Sequence, residues 1–573
     1  MASCCTLYDL SINAVVKNHE FLLRSIRELP GHLKCDVYRK MYDRGQIKPL
    51  SSELLRLDNV IPLARANEKR LQLYKPLQHL LDNGINVAFI LNEKFNACVQ
   101  SFLRLRNWEA CERFVPYGIS LGNFFVEMGW YCGADKIFNC VLMLCKALTP
   151  VPYKIVLLCH VRLMYIRAAS CQFCMAKDSY EKAVELASHL ESSSTIDVNW
   201  ATIALGKCQL WFAMNHYREA YQASLKLLPK VTSRLHPKTI IEILRIASKA
   251  CVVKRKFRKA ASLITYAVAL SKERYGEEHP ISASCLVDYG FYLLNVDSVD
   301  SAVKVYEDVL KIRQNLFGGS NLTVAMAHED LAYALYVNEY STGDFDRARC
   351  HAQMAINIFL KLLPPDHLHL ASANRVKALI LEEIAIDLDL EKEKLNEALK
   401  LHLSSLFLAR RAFGEDNVQI AKHFGNLGRL YQSMKRFREA EQMHMRAIDI
   451  KERLLGAQDF EVALSLGHLA SLYSYDMNMF QKAEKLYIRS IAIGRMLFGD
   501  GYSGLEYDYR GLIHIYKSTG NFEAMLNYSH VLDRWHELRK NKSDSEVNAN
   551  VNTLQHENKT TEIIIREFFE KMD

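Results

Sequence analysis

The 573-residue chain lacks any charge-free apolar run of the roughly 18–20 residues that a membrane span needs, so any membrane association is expected to be peripheral. It also lacks a basic, then apolar, then small-residue leader at its start, which leads to the expectation that its 15 cysteines are reduced thiols of an intracellular protein. Strong charge of one sign is missing too. Its 73 basic residues stand against 65 acidic ones, a net +8, which is too even for a dedicated nucleic-acid binder and permits an acidic partner without requiring one. No phosphate-cradling glycine loop with a following lysine, no dinucleotide glycine fingerprint and no His-Glu-x-x-His is present. Gly501-Tyr502-Ser503-Gly504-Leu505 comes near a nucleophile elbow but has leucine where the second glycine belongs. These absences point away from an enzyme. With only 12 prolines and 50% apolar residues, the chain can bury a long helical core.

What is present is repetition. One ten-residue phrase occurs five times, as AVALSKERYG (267–276), VLKIRQNLFG (309–318), SLFLARRAFG (405–414), AIDIKERLLG (447–456) and SIAIGRMLFG (490–499). A bulky residue three before an alanine recurs at Phe257, Val299, Phe345, Leu395, Phe437 and Phe480, in steps of 42, 46, 50, 42 and 43 residues. Weaker copies begin at Tyr131, Tyr180 and Tyr217, and a degenerate last one at Phe522. In the cleanest unit Phe424, Leu427, Gly428 and Tyr431 make one helical stripe, and Phe437, Ala440, Met443 and Ala447 make a second. Each unit is therefore a pair of helices, A and B, whose small residues let the two approach. This spacing resembles the tetratricopeptide repeat (TPR), and the longer period with glycine-acidic loops such as YGEEHP (275–280) is similar to the TPRs of kinesin light chains. The implied fold is all-α, a right-handed superhelical TPR solenoid of stacked helix hairpins. Residues 1–50 form an N-terminal helical segment, 51–120 a helical linker or cap, 121–250 degenerate repeats, 251–540 the regular array and 541–573 a polar, disordered tail with a short amphipathic helix.

Thr6 is placed to cap a helix that carries Leu7, Leu10, Ser11, Ala14 and Val15 on one face. The order Thr-Leu-x-x-x-Ser-x-x-x-Val resembles a BC-box, the helix that enters the groove of elongin C, although serine stands where that family usually has cysteine. Leu29-Pro30-Gly31-His32-Leu33 follows at the place of a cullin-2 box, which it resembles. The resemblance implies elongin and cullin binding by Leu7, Leu10, Ser11, Val15, Leu29, Pro30 and Leu33. The alternative for this segment is a helix that only seals the solenoid.

The stretches ASKACVVKRKF (247–257), DYGFYLLNVD (288–297), AHEDLAYA (327–334), GNLGRLYQSM (425–434) and GLEYDYRGLI (504–513) resemble the family of amyloid protein-binding protein two, from the first helix to about residue 540. That resemblance implies a non-catalytic receptor of a cullin-2 RING ubiquitin ligase, working with elongin B/C and cullin-2 and reading C-terminal Arg-x-x-Gly degrons. It equally implies a second role, a microtubule- and kinesin-associated adaptor that carries amyloid-precursor-like tails or mRNA cargo. In the second role the basic run Lys254-Arg255-Lys256 with Arg258 and Lys259 would lie on an outer face. Cytoplasmic, cytoskeletal and nuclear locations are implied, with direct nucleic-acid binding unsupported.

In TPRs the inner face of helix A lines a peptide groove. Carried across from Leu427-Gly428, this register puts Asp288, Glu329, Asp330, Glu382 and Glu383 in the groove, with Arg375, Lys422, Asn426, Arg429, His468 and Arg510. The middle is acidic and the C-terminal half largely basic, which suits a C-terminal peptide with an internal arginine. Asp288 and Asp330 are the first choices for the arginine, and Asn426 and Arg429 for the terminal carboxylate. The competing expectation is that these charges pair with one another or with water. Cys159, His160, Cys171 and Cys174 supply four zinc-type ligands within sixteen residues, against the commoner expectation of buried core thiols, and no cofactor is otherwise required. A homodimer through exposed solenoid ends is a further expectation.

Overall fold

The computed structural model describes residues 6–193, 198–232, 234–339, 343–387, 391–549 and 559–570. All regular elements among the described residues are helices. None is long and apolar enough to cross a membrane. The chain divides into two compact units, one of residues 1–213, 278–283 and 310–325, the other of 214–277, 284–309 and 326–573.

Among the described residues, ten helix hairpins follow one another from Trp108 to Ala549. Their inner turns share one conformational mark. A single residue with left-handed backbone sits between helix A and helix B at Gly129, Cys171, Asn215, Arg255, Asp297, Gly343, Lys435, Asn478 and Gly520, with φ between 52° and 74°. The next amide then bonds back across the turn, as Arg436 N–H does to the Tyr431 carbonyl at 2.8 Å and Lys256 N–H to Cys251 at 2.9 Å, which closes the helix end. The outer turns are different. Helix B of the unit 418–455 stops at Gly456, whose φ of 103° and ψ of 151° belong to a region that side-chain-bearing residues essentially never occupy. The same glycine ends all five copies of the repeated phrase, each time at positive φ.

Small residues set the distance between A and B. A Cβ on Gly428 would stand 2.7 Å from the ring of His444 in the facing helix, whereas one on Gly425, a turn earlier, would meet nothing within 4 Å. Gly428→Val is therefore expected to lower the stability of this hairpin by about 1–3 kcal/mol through overpacking, while Gly425→Ala is neutral or slightly stabilising. Urea unfolding of the two variants side by side checks this, and equal effects would refute the close-approach role of Gly428.

In the first unit the helix Leu7–Lys17 is closed by a capping box between Thr6 and Asp9. Leu7 is 81% and Leu10 53% exposed, and Ser11 and Ala14 are exposed beside them. Ser11 Oγ donates to the Leu7 carbonyl at 2.8 Å, so its hydroxyl is turned onto its own helix. Leu29 and Leu33 are half-buried, and Pro30 is exposed at the start of the helix Gly31–Asp43.

The second unit coils back on itself after five hairpins. Asn417 Nδ2 donates to the Met214 carbonyl at 3.1 Å and Gln419 Nε2 to Asn215 Oδ1 at 3.1 Å. One hairpin further on, Arg255 pairs with Asp459 at 3.4 Å and lies over the ring of Phe460. One further again, Asp297 accepts from Ser503 N–H at 3.0 Å and from Arg539 at 2.7 Å. The left-handed turn residues thus clasp the helix starts about 200 residues later.

The helix Phe522–Ala549 continues through 541–549, so part of the tail expected to be disordered is helical. Residues 550–558 of that expectation lie outside the described residues. The amphipathic helix forms over Thr561–Glu570.

Candidate functional site

Because each helix A presents one stripe inward and the second unit coils back on itself, the stripes enclose a groove of about 1400 Å³. Of the eleven groove positions expected from the repeat register, ten line this cavity: Glu329, Asp330, Arg375, Glu382, Glu383, Lys422, Asn426, Arg429, His468 and Arg510. Asp288 does not. It is 3% exposed and held by Arg245 at 2.8 Å and Lys249 at 3.3 Å, both from the preceding helix A, whose long side chains cover it.

The acidic-to-basic polarity is largely cancelled within the protein, because charges in a partly buried groove need partners. Lys422 and Lys451 meet Glu461 at 2.8 and 3.1 Å. Burial alone would raise the pKa of Glu461, but the two ammonium groups outweigh it and hold the carboxyl well below the ordinary range. Arg429 donates to Glu383 and, at 3.0 Å, to Tyr336 Oη, and stands 3.7 Å from Glu382. Arg429, expected from sequence to meet a peptide's terminal carboxylate, is engaged here by carboxylates of the wall. Arg510 is paired with Glu506 one turn away and is mostly solvated.

Three groups keep unused capacity. Glu382 is 1% exposed, and its Oε2 accepts no hydrogen bond among the described residues. Burial raises its pKa to about 7 against the pull of Arg429. Asn426 Nδ2 is buried without an acceptor among the described residues. The Arg375 guanidinium lies 5.8 Å above the Tyr333 ring and makes no hydrogen-bonded ion pair among the described residues. Glu329 accepts from Ser372 Oγ at 2.5 Å, and burial, with help from Asp330, raises it to about 7. A desolvated carboxyl and two unfilled donors on neighbouring helices can bind a guanidinium and a carboxylate respectively.

Behind this wall stand histidines. His402 and His444 are fully buried with neither ring nitrogen hydrogen-bonded. Burial, then the charges of Arg429 and Lys451, lowers His444 to about 3, and His468, 6.1 Å away ring to ring, is also driven well below its usual value by burial. His468 is a neutral wall group. Among the charged lining residues that sequence reasoning missed are Arg255, Asp297, Lys451, Glu461 and Asp508. Of these, Glu461 stands two turns before the His468 position, at the register position of Lys422, and was within reach of the register.

Arg255 corrects a second expectation. It points into the groove toward Asn295 and Asp459 and is not part of an outer basic face. Cys159 is buried in the core, Cys171 occupies a left-handed turn and Cys174 is exposed, so Cys159, His160, Cys171 and Cys174 do not assemble as one metal-ligand cluster among the described residues.

Tetratricopeptide repeat models match residues 376–453 and 462–501. A solved Rap protein, crystallised in complex with Competence and Sporulation Factor, aligns over 73% of this chain and 96% of its own at 15% identity and a TM-score of 0.40. The sequence relatives are much nearer. Amyloid protein-binding protein 2 of Mus musculus and that of Rattus norvegicus are each 48% identical over 538 residues, spanning 93% of this chain and 92% of the relative. With identity at that level over nearly the full length of both, and with the repeat helices in place, the chain belongs to the amyloid protein-binding protein 2 family.

Proposed function

We propose that this protein is the substrate-recognition subunit of a cullin-2 RING ubiquitin ligase, holding elongin B–C and cullin-2 through its N-terminal helices and a C-terminal peptide of Arg-x-x-Gly type in the groove. The observation that carries the reading is Glu382, a buried carboxyl of the groove lining whose Oε2 accepts no hydrogen bond among the described residues and stands 3.7 Å from Arg429, accompanied by the unfilled donors of Arg375 and Asn426. Glu382 and Glu329 receive the peptide's guanidinium, and Arg375 and Asn426 receive its terminal carboxylate. Glycine in the peptide lets its backbone lie against the helix surface. The protein does no chemistry of its own. It raises the effective concentration of a substrate lysine near an enzyme bound elsewhere. The amyloid-precursor-like tail is a second peptide of interest for the same groove.

A labelled peptide ending in Arg-x-x-Gly, titrated into the full chain, tests this. Replacing its arginine by alanine, amidating its C-terminus, or introducing Glu382→Gln is expected to weaken binding about tenfold or more, the value of a charged hydrogen bond. Binding also strengthens from pH 6 to pH 8. At pH 6 carboxyls with pKa about 7 are mostly protonated and must lose a proton to meet the guanidinium, whereas at pH 8 they are already ionised. Equal affinity for the arginine-free peptide would sink the reading. The kinesin and microtubule adaptor is the alternative; it would act through Lys254, Lys256 and Arg258, and its binding would weaken with salt.

A further inference from the structure

The chain's last described helix, Thr561–Glu570, does not enter the groove. It lies on helix Phe257–Tyr275, a helix B, within the second unit. Ile564, Ile565 and Phe568 are buried there, at 1%, 8% and 0% exposure. Tyr266 Oη is 3.1 Å from Thr561 Oγ1, and Lys259 Nζ stands 5.4 Å over the Phe568 ring. The receiving helix is small at two positions where its counterparts are small at one at most: it has Ser262 where Lys304 or Lys485 stands and Ala269 where Lys311 or Asp449 stands, whereas Cys350 and Ala492 each occur without the other. Small side chains at these positions give a second helix room to lie close. Elsewhere the position of Tyr266 holds Asp308, Met354, Ser404, Arg446 or Arg489. The combination of Ser262, Tyr266 and Ala269 belongs to this repeat alone.

The helix it holds is ten residues long, too short to persist alone in water. Three apolar side chains anchor it to the helix Phe257–Tyr275, a hold that a similar ligand can contest. We propose that this outer face is a docking site for an amphipathic helix of a partner protein, with apolar residues at the spacing of Ile564, Ile565 and Phe568, and that residues 561–570 occupy it in cis until the partner displaces them. The site is independent of the groove and of what the groove binds.

The probe is a fluorescent peptide of residues 559–570 titrated into the full-length protein and into a full-length Ile564→Asp, Phe568→Asp variant whose own tail is detached. The variant is expected to bind at least about tenfold tighter than the wild type, because the tethered tail competes at high effective concentration. Adding Tyr266→Asp to the variant abolishes binding. Equal binding to both proteins, or binding to neither, overturns the proposal. A second measurement needs no substitution: in wild-type protein, excess unlabelled peptide is expected to speed amide exchange across 561–570, and unchanged protection there also overturns it.

Discussion

A full-length Leu7→Asp, Leu10→Asp protein is expected to lose capture of elongin B–C by about 100-fold or more. Burying two leucines on a partner is worth about 3–6 kcal/mol, and an aspartate carried into the same pocket adds the cost of an unpaired charge. Each 1.4 kcal/mol is about a factor of ten in affinity. The variant separates docking from folding because both leucines already face solvent, while the helix is held by its Thr6–Asp9 box, by buried Val16 and by Tyr8 Oη donating to Asp36 at 2.6 Å. The circular dichroism signal and the peptide affinity should be unchanged. If elongin capture is unaltered, the helix is a cap on the solenoid and no more.

Glu461→Gln is expected to destabilise the second unit by about 3–5 kcal/mol, the cost of leaving buried charges without their partner. The one carboxylate pairs with both Lys422 and Lys451, and the Lys451 side chain is only 4% exposed. Lys451 keeps hydrogen bonds from its ammonium to Ser465 Oγ and to the Glu461 carbonyl, which solvate the charge in part and do not cancel it. The side-chain amide of glutamine restores neither ion pair. Arg510→Ala is the control: its pair with Glu506 is exposed and one turn long, worth about 0.5 kcal/mol or less. Urea unfolding with hydrogen exchange over 418–498 reads both, since repeat arrays lose structure locally. A Glu461→Gln effect as small as the control would mean that the groove is wet enough to solvate both lysines.

The hairpins were legible because their geometry is written in residue types: a glycine at the outer turn after each of the five copies of the repeated phrase, and glycine or alanine where helix faces helix. The groove positions followed, since one register fixes which helix-A residues face inward. Asp288 failed that register although Asp330, at the same position one repeat later, obeyed it. The difference lies in Arg245 and Lys249, residues of a neighbouring repeat that a single-repeat pattern does not weigh. The inner turns were illegible for another reason. Cys171, Arg255, Asp297 and Lys435 share a backbone conformation but no side-chain chemistry. The clasps from Asn215, Arg255 and Asp297 join residues about 200 apart, a separation set by how many hairpins complete one coil. Once the coil closes, opposite charges that look like a polarity along the sequence become partners across the groove, as Lys422 and Lys451 do with Glu461.

Ligase receptors hold two ligands at once, and that is the property to measure. Immobilised elongin B–C is mixed with a labelled peptide ending in Arg-x-x-Gly, with and without this protein. The account predicts that the peptide is retained only when the wild-type chain is present, and is lost with Leu7→Asp, Leu10→Asp even though that variant still binds the peptide in solution. Failure of the immobilised elongin B–C to retain either the wild-type chain or the peptide, with peptide binding in solution intact, would contradict the receptor function and leave the groove serving a transport adaptor.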